Sequence, residues 1–307
     1  MGLFETDARC KWQRNYVNIP AWHTHGYLGE GLTLFHDDLG QTSHNDVCVD
    51  MMQTILPLAK IYSGGIGSYT EHGQVKECYI RCNETKERLD FDEFIAKYNI
   101  SQINNSTDGG KNDSDSPMAK YMREKIKEHN LVGTGAFGNF ADEPNNKYQG
   151  AFIMVSGISL MKDYSFQDYG VSGDACDFSM FMGFQSGTSF SAPFLAGMIG
   201  LLRCKYGMIT QEEVYDYLVE HCEDMGTVGW NPEFGHGLPI LGDANMEIKM
   251  TIGSKVAYVD GKKVFMEQEP FIMRDTGRTV SPVRFVAETL GAEVKWNDKT
   301  KEITIIK

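Results

Sequence analysis

Ser189 lies in the octapeptide Ser-Gly-Thr-Ser-Phe-Ser-Ala-Pro (186–193), directly before an apolar stretch that runs from Phe194 to Leu202. A serine at this point would stand at the amino-terminal end of a buried helix, where unpaired backbone N–H groups and the helix dipole favour negative charge. An ordinary helix cap would also explain a serine here. The chemistry that the position favours is nucleophilic attack on a carbonyl group, because that reaction creates an oxyanion.

A serine nucleophile needs a base that accepts its proton and an acid that holds the base in the correct tautomer. Asp38 follows a predicted strand (31–35), and His44 begins a segment with the apolar spacing of a helix (44–56). Asp37 is the alternative acid, because a one-residue bulge would exchange the two carboxylates. His36 is the alternative base, although an edge-strand or buried histidine would explain it equally well.

Asn139 is a candidate donor to the oxyanion. It follows the predicted strand 132–136 in the segment Gly-Thr-Gly-Ala-Phe-Gly-Asn (133–139). A side-chain amide directed at a developing oxyanion stabilises the transition state. The other interpretation is that Gly-Asn forms a simple turn.

The elements that must position these residues alternate between strands and helices. Predicted helices cover 44–56 and 117–129, and a further helix covers 210–221. This alternation predicts a parallel sheet with helices on both faces. Residues 1–30 are predicted to be irregular, and residues 66–95 are predicted to include a hairpin excursion.

The last 60 residues have a different character. Two strand pairs flank Asp260-Gly261 and Asn297-Asp298-Lys299, a short helix covers 283–290, and the pattern predicts a small α+β domain. Residues 251–307 carry a net charge of +2, whereas the rest of the chain carries −15. We therefore predict two domains, at 1–246 and 247–307.

Several of these segments, in this order, resemble the subtilisin-like serine peptidases (subtilases). Residues 26–40 resemble the subtilase strand that ends in Asp-Ser/Thr-Gly, and 44–62 resembles the helix of the catalytic histidine and the segment after it. Residues 133–139 resemble the family's Ala-x-Gly-Asn segment, and 186–193 resembles its nucleophile motif. The resemblance covers about residues 20–242. It departs from the family pattern at His36, Asp37 and Asn45, and in the short connection from Asp38 to His44.

The resemblance implies a fold and a set of roles. The fold would be α/β, a subtilisin-like parallel sheet with helices on both faces, followed by the small α+β domain. The catalytic residues would be Asp38, His44 and Ser189, with Asn139 in the oxyanion hole. Residues 99–109 resemble the substrate-binding strand, which implies substrate-binding roles for Ser106, Asp108 and Gly109. Asp108 would line the primary specificity pocket and favour a basic side chain.

Residues 248–307 resemble a stalk domain that is named after the N-terminal domain of copper amine oxidases. This segment contains neither His nor Cys, so it lacks good copper ligands. The resemblance implies a role in attachment or assembly, and a passive spacer is the alternative.

Composition excludes some classes of function. The net charge of −13 argues against nucleic-acid binding, and no apolar stretch in the sequence is long enough to span a membrane. Seven unpatterned cysteines and the lack of a recognisable signal peptide indicate reduced thiols and a cytoplasmic location, or a place in a phage-like particle. No metal or other cofactor is indicated, and calcium is not indicated either.

The predicted function is therefore that of a serine endopeptidase that acts on polypeptides and is tethered or assembled through residues 247–307. The alternative is a weak or inactive subtilase fold that serves as a binding or structural module, for example in a phage-like assembly.

Overall fold

The computed structural model describes residues 3–38, 43–107, 114–139, 148–160, 166–168, 176–183 and 185–306. The chain separates into two compact units, residues 1–243 and residues 244–307. The predicted division lies after residue 246.

The first unit is built on a sheet of nine described strands. Its order is β4-β3-β2-β1-β5-β6-β7-β8, and β9 pairs with β7. The pairs from β2 through β1, β5 and β6 to β7 are parallel, as is the β7–β9 pair. The strands are β1 (Thr33–Asp37), β2 (Lys60–Glu71), β3 (Gln74–Cys82), β4 (Arg88–Asp90), β5 (Gln102–Asn105), β6 (Val132–Ala136), β7 (Ile153–Leu160), β8 (Phe166–Asp168) and β9 (Phe178–Phe181).

Helices pack against this sheet, and a short antiparallel pair completes the unit. The helices are α1 (Leu3–Thr6), α2 (Ala8–Tyr16), α3 (Ile19–Thr24), α4 (Ser43–Ile55), α5 (Phe91–Tyr98), α6 (Pro117–Glu128), α7 (Thr188–Tyr206) and α8 (Gln211–Glu220). The short pair is β10 (Cys222–Glu223) with β11 (Leu238–Pro239). The architecture confirms the predicted α/β fold with a mainly parallel sheet.

The prediction that residues 1–30 are irregular is wrong, because three helices lie there. Asp7 caps α2 by accepting hydrogen bonds from the backbone N–H groups of Arg9 and Cys10, and Pro20 stands in the first turn of α3. Phe4 and Trp22 are fully buried. The mixed polar and aromatic pattern hid these helices, because a few buried side chains, and not a regular apolar stripe, attach them to the unit. The hairpin predicted within 66–95 is present as β2 and β3.

Helix α7 runs through the interior and packs closely on α4. A Cβ atom added at Gly197 would lie 2.8 Å from Ile55 Cδ1, and one added at Gly200 would lie 2.4 Å from Leu56 Cδ1. The two glycines, three residues apart, therefore lie on one face of α7 and let the helices approach. This contact bears on the candidate site because α4 carries His44 and α7 carries Ser189.

Side-chain alternation along the central strands defines two layers. Phe35 and Ile103 face a core that includes residues of α5 and α6, such as Phe94 and Met122. Gln102 faces the other layer, where its amide donates to the carbonyl of Ala196 in α7. Because successive side chains of a strand point to opposite faces, the even-numbered residues of β1 and β5 face α7. The parallel strands β1, β5 and β6 end at the same edge, where α4 and α7 begin.

One partly buried carboxyl in this unit leads to a prediction about stability. Burial raises the pKa of Asp177 to about 6, even though its carboxylate accepts hydrogen bonds from the Met154 N–H (2.7 Å) and the Tyr215 hydroxyl (3.3 Å). A raised pKa means that the folded protein binds this proton more tightly than the unfolded chain does. Its contribution to stability is therefore fully present below pH ~4 and is lost as the pH rises to about 6.

Asp177→Asn should remove this pH dependence. Relative to the variant, we expect the wild-type free energy of unfolding to fall by roughly 2.4 kcal/mol between pH 4 and pH 7. Urea unfolding of both proteins at four pH values measures the difference, in which the other titrating groups cancel. A difference that does not change with pH would contradict the assignment.

The second unit consists of small antiparallel pairs and one helix. The elements are β12 (Ile248–Met250), β13 (Val256–Val259), β14 (Lys262–Phe265), β15 (Phe271–Ile272), β16 (Thr279–Val280), α9 (Val283–Thr289), β17 (Glu293–Asn297) and β18 (Glu302–Ile306). Both predicted hairpins form, and Asp260 and Gly261 have positive φ angles of 46° and 78°, as a tight two-residue turn requires. In the parts of the chain that the structure describes, no helix has the length and apolar character needed to cross a bilayer.

Candidate active site

Three side chains meet where the parallel strands end. The Nδ1 atom of His44 lies 2.7 Å from Oδ2 of Asp38, and Nε2 of the same ring lies 2.8 Å from Oγ of Ser189. Asp38 is buried, whereas the side chain of His44 is 33% exposed. A carboxylate, an imidazole and a hydroxyl in this order can move a proton from the hydroxyl to the imidazole.

The regular register of β1 separates Asp38 from Asp37. Asp37 pairs with Gly64 on one side and Asn105 on the other, without a bulge. The Asp37 carboxylate therefore points into the opposite layer, where it accepts hydrogen bonds from Ile66 N–H, the Asn105 amide and the Tyr148 hydroxyl, all at 2.9 Å. Of the two candidate acids, the structure brings Asp38 to His44.

The electrostatics around Asp38 keep its carboxylate ionised. Burial acts to raise the pKa of Asp38, but the imidazoles of His36 and His44 that face it outweigh burial and hold the pKa well below the usual range. An ionised carboxylate can fix the proton of neutral His44 on Nδ1, which leaves Nε2 free to accept the proton of Ser189.

Ser189 lies in the first turn of α7, as its sequence context predicts. Gly187 precedes the helix with a φ of 139°, a value that L side chains rarely adopt, which explains the glycine of Gly-Thr-Ser. The ring of Phe190 packs on the ring of His44 with a centroid distance of 4.8 Å. The turn and the aromatic contact together hold the hydroxyl and the imidazole in reach of each other.

Asn139 lies beside the start of α7 with its amide held in one orientation. Its Oδ1 atom accepts hydrogen bonds from the backbone N–H of Thr188 (2.7 Å) and from the Thr188 hydroxyl (3.2 Å). The Thr188 oxygen in turn accepts a bond from Gly138 N–H at 3.1 Å. With Oδ1 engaged by these donors, the NH₂ group of Asn139 is the end of the amide that can serve an oxyanion.

The three predicted substrate-binding residues have different outcomes. Asp108 and Gly109 lie outside the described residues. Ser106 is buried, and its hydroxyl donates a hydrogen bond to the backbone carbonyl of Ser189 at 2.7 Å. In this structure the Ser106 side chain therefore supports the backbone of Ser189, and its substrate-binding role stays a prediction.

Two further residues lie near the site: Cys48, which was assigned no role from the sequence, and His36, which was the alternative base. Cys48 Sγ lies 3.5 Å from the Ser189 carbonyl oxygen and 4.0 Å from His44 Nδ1, and burial raises the pKa of this thiol. His36 is fully buried on the same face of β1 as Asp38, with its Nε2 atom 3.7 Å from Asp38 Oδ2. Cys48 occupies the position four residues after His44, and helical spacing alone would have placed it beneath the imidazole.

Among the residues that the structure describes, two groups of side chains have donor atoms close enough to share a metal ion. The first is His36, Asp38 and Cys48, and the second is Asp92, Glu128 and His129. In the first group Asp38 already binds His44. In the second, the Lys125 ammonium lies 2.5 Å from Asp92 and 2.7 Å from Glu128, so a side-chain cation already pairs with both carboxylates. Neither arrangement favours a metal ion.

Two family models match this chain, one towards the end of the first unit and one mainly in the second. The model of the Subtilase family matches residues 177–237, which include Ser189. The model of the copper amine oxidase N-terminal domain matches residues 216–305, so it begins within the first unit, at α8, and extends through most of the second. A search of curated protein sequences found no match to this chain.

Solved structures of subtilisin-like proteins share this fold. A lanthipeptide protease has a TM-score of 0.54 at 14% identity, and the alignment covers 78% of this chain and 95% of that one. Fervidolysin from Fervidobacterium pennivorans, a keratinolytic enzyme related to subtilisin, has a TM-score of 0.57 at 13% identity over 91% of this chain and 53% of that one. MycP1, a serine protease of a type VII secretion system, has a TM-score of 0.51 at 13% identity over 75% and 86% of the two chains.

The first unit thus has a subtilisin-like fold, and the family match adds a segment of the subtilase type around Ser189. The C-terminal part is similar to the copper amine oxidase N-terminal domain. Both resemblances predicted from the sequence are confirmed. At 13–14% identity, the likeness to the solved structures establishes the fold alone.

Proposed function

We propose that this protein is a serine endopeptidase that hydrolyses peptide bonds in polypeptides through Asp38, His44 and Ser189. The observation that carries the proposal is the continuous pair of contacts at 2.7 Å and 2.8 Å that joins the Asp38 carboxylate to the Ser189 hydroxyl through His44. The subtilisin-like fold and the family match around Ser189 support it.

In the proposed mechanism, Ser189 Oγ attacks the carbonyl carbon of the substrate while its proton passes to Nε2 of His44. Asp38 orients the ring and stabilises the imidazolium. The same proton then moves to the leaving amine nitrogen as the C–N bond breaks. Water repeats the sequence on the acyl-enzyme: its proton goes to His44 and its oxygen to the acyl carbon, and Ser189 regains its hydroxyl proton.

The negative oxygen of each tetrahedral intermediate would lie between the Asn139 amide and the start of α7. The NH₂ group of Asn139 and the backbone N–H of Ser189 would donate to it, at a helix end where the dipole favours negative charge. The bonds from Thr188 to Asn139 Oδ1 support this role, because they orient the amide before the reaction begins.

Labelling with a fluorophosphonate probe tests the proposal, because the probe reacts with an activated serine. We expect wild-type protein to be labelled and Ser189→Ala to remain unlabelled. Ser191→Ala is the matched control, since the Ser191 hydroxyl is buried and bonds the carbonyl of Met180. A folded wild-type protein that is not labelled would refute the peptidase and favour the inactive binding module, while labelling that survives Ser189→Ala would refute the nucleophile.

For the second unit we propose self-association of this chain, so that the peptidase is held in an assembly. Large apolar side chains on its hairpins support this role, since about half or more of each is exposed: Phe265 (72%), Trp296 (49%), Ile303 (53%) and Ile305 (49%). We expect the full chain to sediment as species larger than the monomer, and Phe265→Lys with Ile303→Lys to dissociate them without a loss of labelling. A wild-type chain that sediments as a monomer would contradict the proposal.

A further inference from the structure

His36 is a polar side chain in the interior of β1, at a position that faces the candidate site. It is fully buried, and its Nε2 atom has no hydrogen-bond partner among the described residues. That atom lies 3.7 Å from Oδ2 of Asp38, the same oxygen that His44 contacts at 2.7 Å. Burial of an imidazole at this place needs an explanation, because an unpaired buried polar group is costly.

The hydrogen bonds around His36 define which of its nitrogens carries the proton. The backbone carbonyl of Ser189 can only accept a hydrogen bond, so the Ser106 hydroxyl, 2.7 Å away, must donate its single proton to that carbonyl. The Ser106 oxygen can then only accept from the Asn104 amide, 3.0 Å away, which means that the NH₂ group of Asn104 lies on this side. The same NH₂ group lies 3.0 Å from Nδ1 of His36, and so Nδ1 is the acceptor.

The other end of the Asn104 amide agrees with this orientation. Its Oδ1 atom lies 2.8 Å from the hydroxyl of Thr134, which donates to it from the neighbouring strand β6. A reversed amide would place its oxygen against the Ser106 oxygen, whose proton already goes to the Ser189 carbonyl, and that bond would be lost. With Nδ1 as an acceptor, neutral His36 carries its proton on Nε2, the atom that faces Asp38.

We propose that His36 is a positioning residue for the catalytic acid: a neutral imidazole whose Nε2–H group faces the Asp38 carboxylate, which His44 also contacts. The proposal rests on the proposed peptidase function. The N–H dipole compensates the buried negative charge and holds Oδ2 towards His44. The same tautomer argues against a metal ion at His36, Asp38 and Cys48, because the Nε2 lone pair that would bind the metal is protonated.

The surroundings of Asp38 define the expected change in pH dependence. Among the described residues, the titratable groups that face its carboxylate are His36 on β1, and His44 and Cys48 on α4. Without the N–H group of His36, the potential at Asp38 and His44 becomes more negative. The pair then binds a proton more tightly, and the acid limb of the activity profile moves to higher pH.

The test compares His36→Leu with His36→Gln in the full chain, by the rate of fluorophosphonate labelling from pH 5 to pH 9. Leucine removes the donor, so we expect labelling at pH 8 to slow by about tenfold and the acid limb to move to higher pH. Glutamine can place an amide N–H where Nε2 lies, so we expect it to restore the wild-type position of the limb and most of the rate.

Each outcome decides between positioning and simple packing. The proposal would be overturned if His36→Leu is labelled at the wild-type rate and the acid limb of its pH profile does not move. It would also be overturned if both variants lose the same factor in labelling rate while their acid limbs stay at the wild-type pH. If His36→Leu fails to fold, His36→Asn replaces it, because its shorter amide can accept from Asn104 but cannot reach Asp38. An unlabelled wild type would instead refute the peptidase function itself.

Discussion

Replacement of His44 by alanine should slow the reaction of Ser189 with a fluorophosphonate by roughly 10⁴-fold or more. The His44 ring is the one base that the structure places on the Ser189 hydroxyl among the described residues, at 2.8 Å. Without it, the proton of a hydroxyl that is a weak nucleophile at neutral pH has no acceptor. Labelling rates and hydrolysis of a peptide library, measured side by side, give the loss in each step.

His129→Ala is the matched control for this prediction. His129 also contacts a carboxylate, with Nε2 2.8 Å from Asp92 Oδ1, but it lies at the end of α6 and has no contact with Ser189. We expect the control to label at the wild-type rate. A His44→Ala protein that folds and labels as fast as this control would show that another group activates Ser189.

The second large effect should come from Asn139→Asp. The change keeps an oxygen for Thr188 but replaces the NH₂ group by a negatively charged oxygen, which repels the oxyanion. Loss of one oxyanion donor lowers turnover by about 10²–10³, and the added repulsion acts in the same direction. We expect kcat to fall by at least this factor with little change in KM, because the donor acts chiefly in the transition state.

Asn15→Asp adds the same charge at an exposed position of α2 and serves as the control. Steady-state hydrolysis of one peptide substrate by the three proteins separates kcat from KM. If Asn139→Asp instead raises KM by about 10²–10³ and leaves kcat unchanged, Asn139 binds the ground state of the substrate. That result would contradict a place in the oxyanion hole.

Local patterns made some parts of this protein predictable. The glycine before Thr188-Ser189 and the apolar run after it predict the start of a helix. Helix α7 begins at Thr188, and Gly187 supplies the positive φ that the turn before the helix needs. The C-terminal hairpins were predictable for the same reason, since Asp260-Gly261 forms a tight turn from nearest-neighbour preferences alone.

Features that depend on distant residues were beyond such patterns. Helix α2 needs its cap at Asp7, but burial of side chains such as Trp22 decides that the first 30 residues fold onto the unit. The proposed role of His36 depends on Asn104 in β5 and Thr134 in β6, and the contact of Ser106 depends on the Ser189 carbonyl in α7. The tautomer of His36 follows from a chain of hydrogen bonds through Ser106 and Asn104 that ends at the Ser189 carbonyl, and no single segment of the sequence contains that chain.

The sequence by itself determined the residue types of the candidate site, their order along the chain and the nature of both domains, because those follow from short motifs. It left Asp37 and Asp38 as rivals, because either can follow a strand. Only the tertiary structure decided between them: pairing of β1 with β2 and β5 in regular register sends Asp38 to His44 and Asp37 to the opposite layer. The physical reason is that a strand alternates its faces, and its neighbours determine which face meets α7.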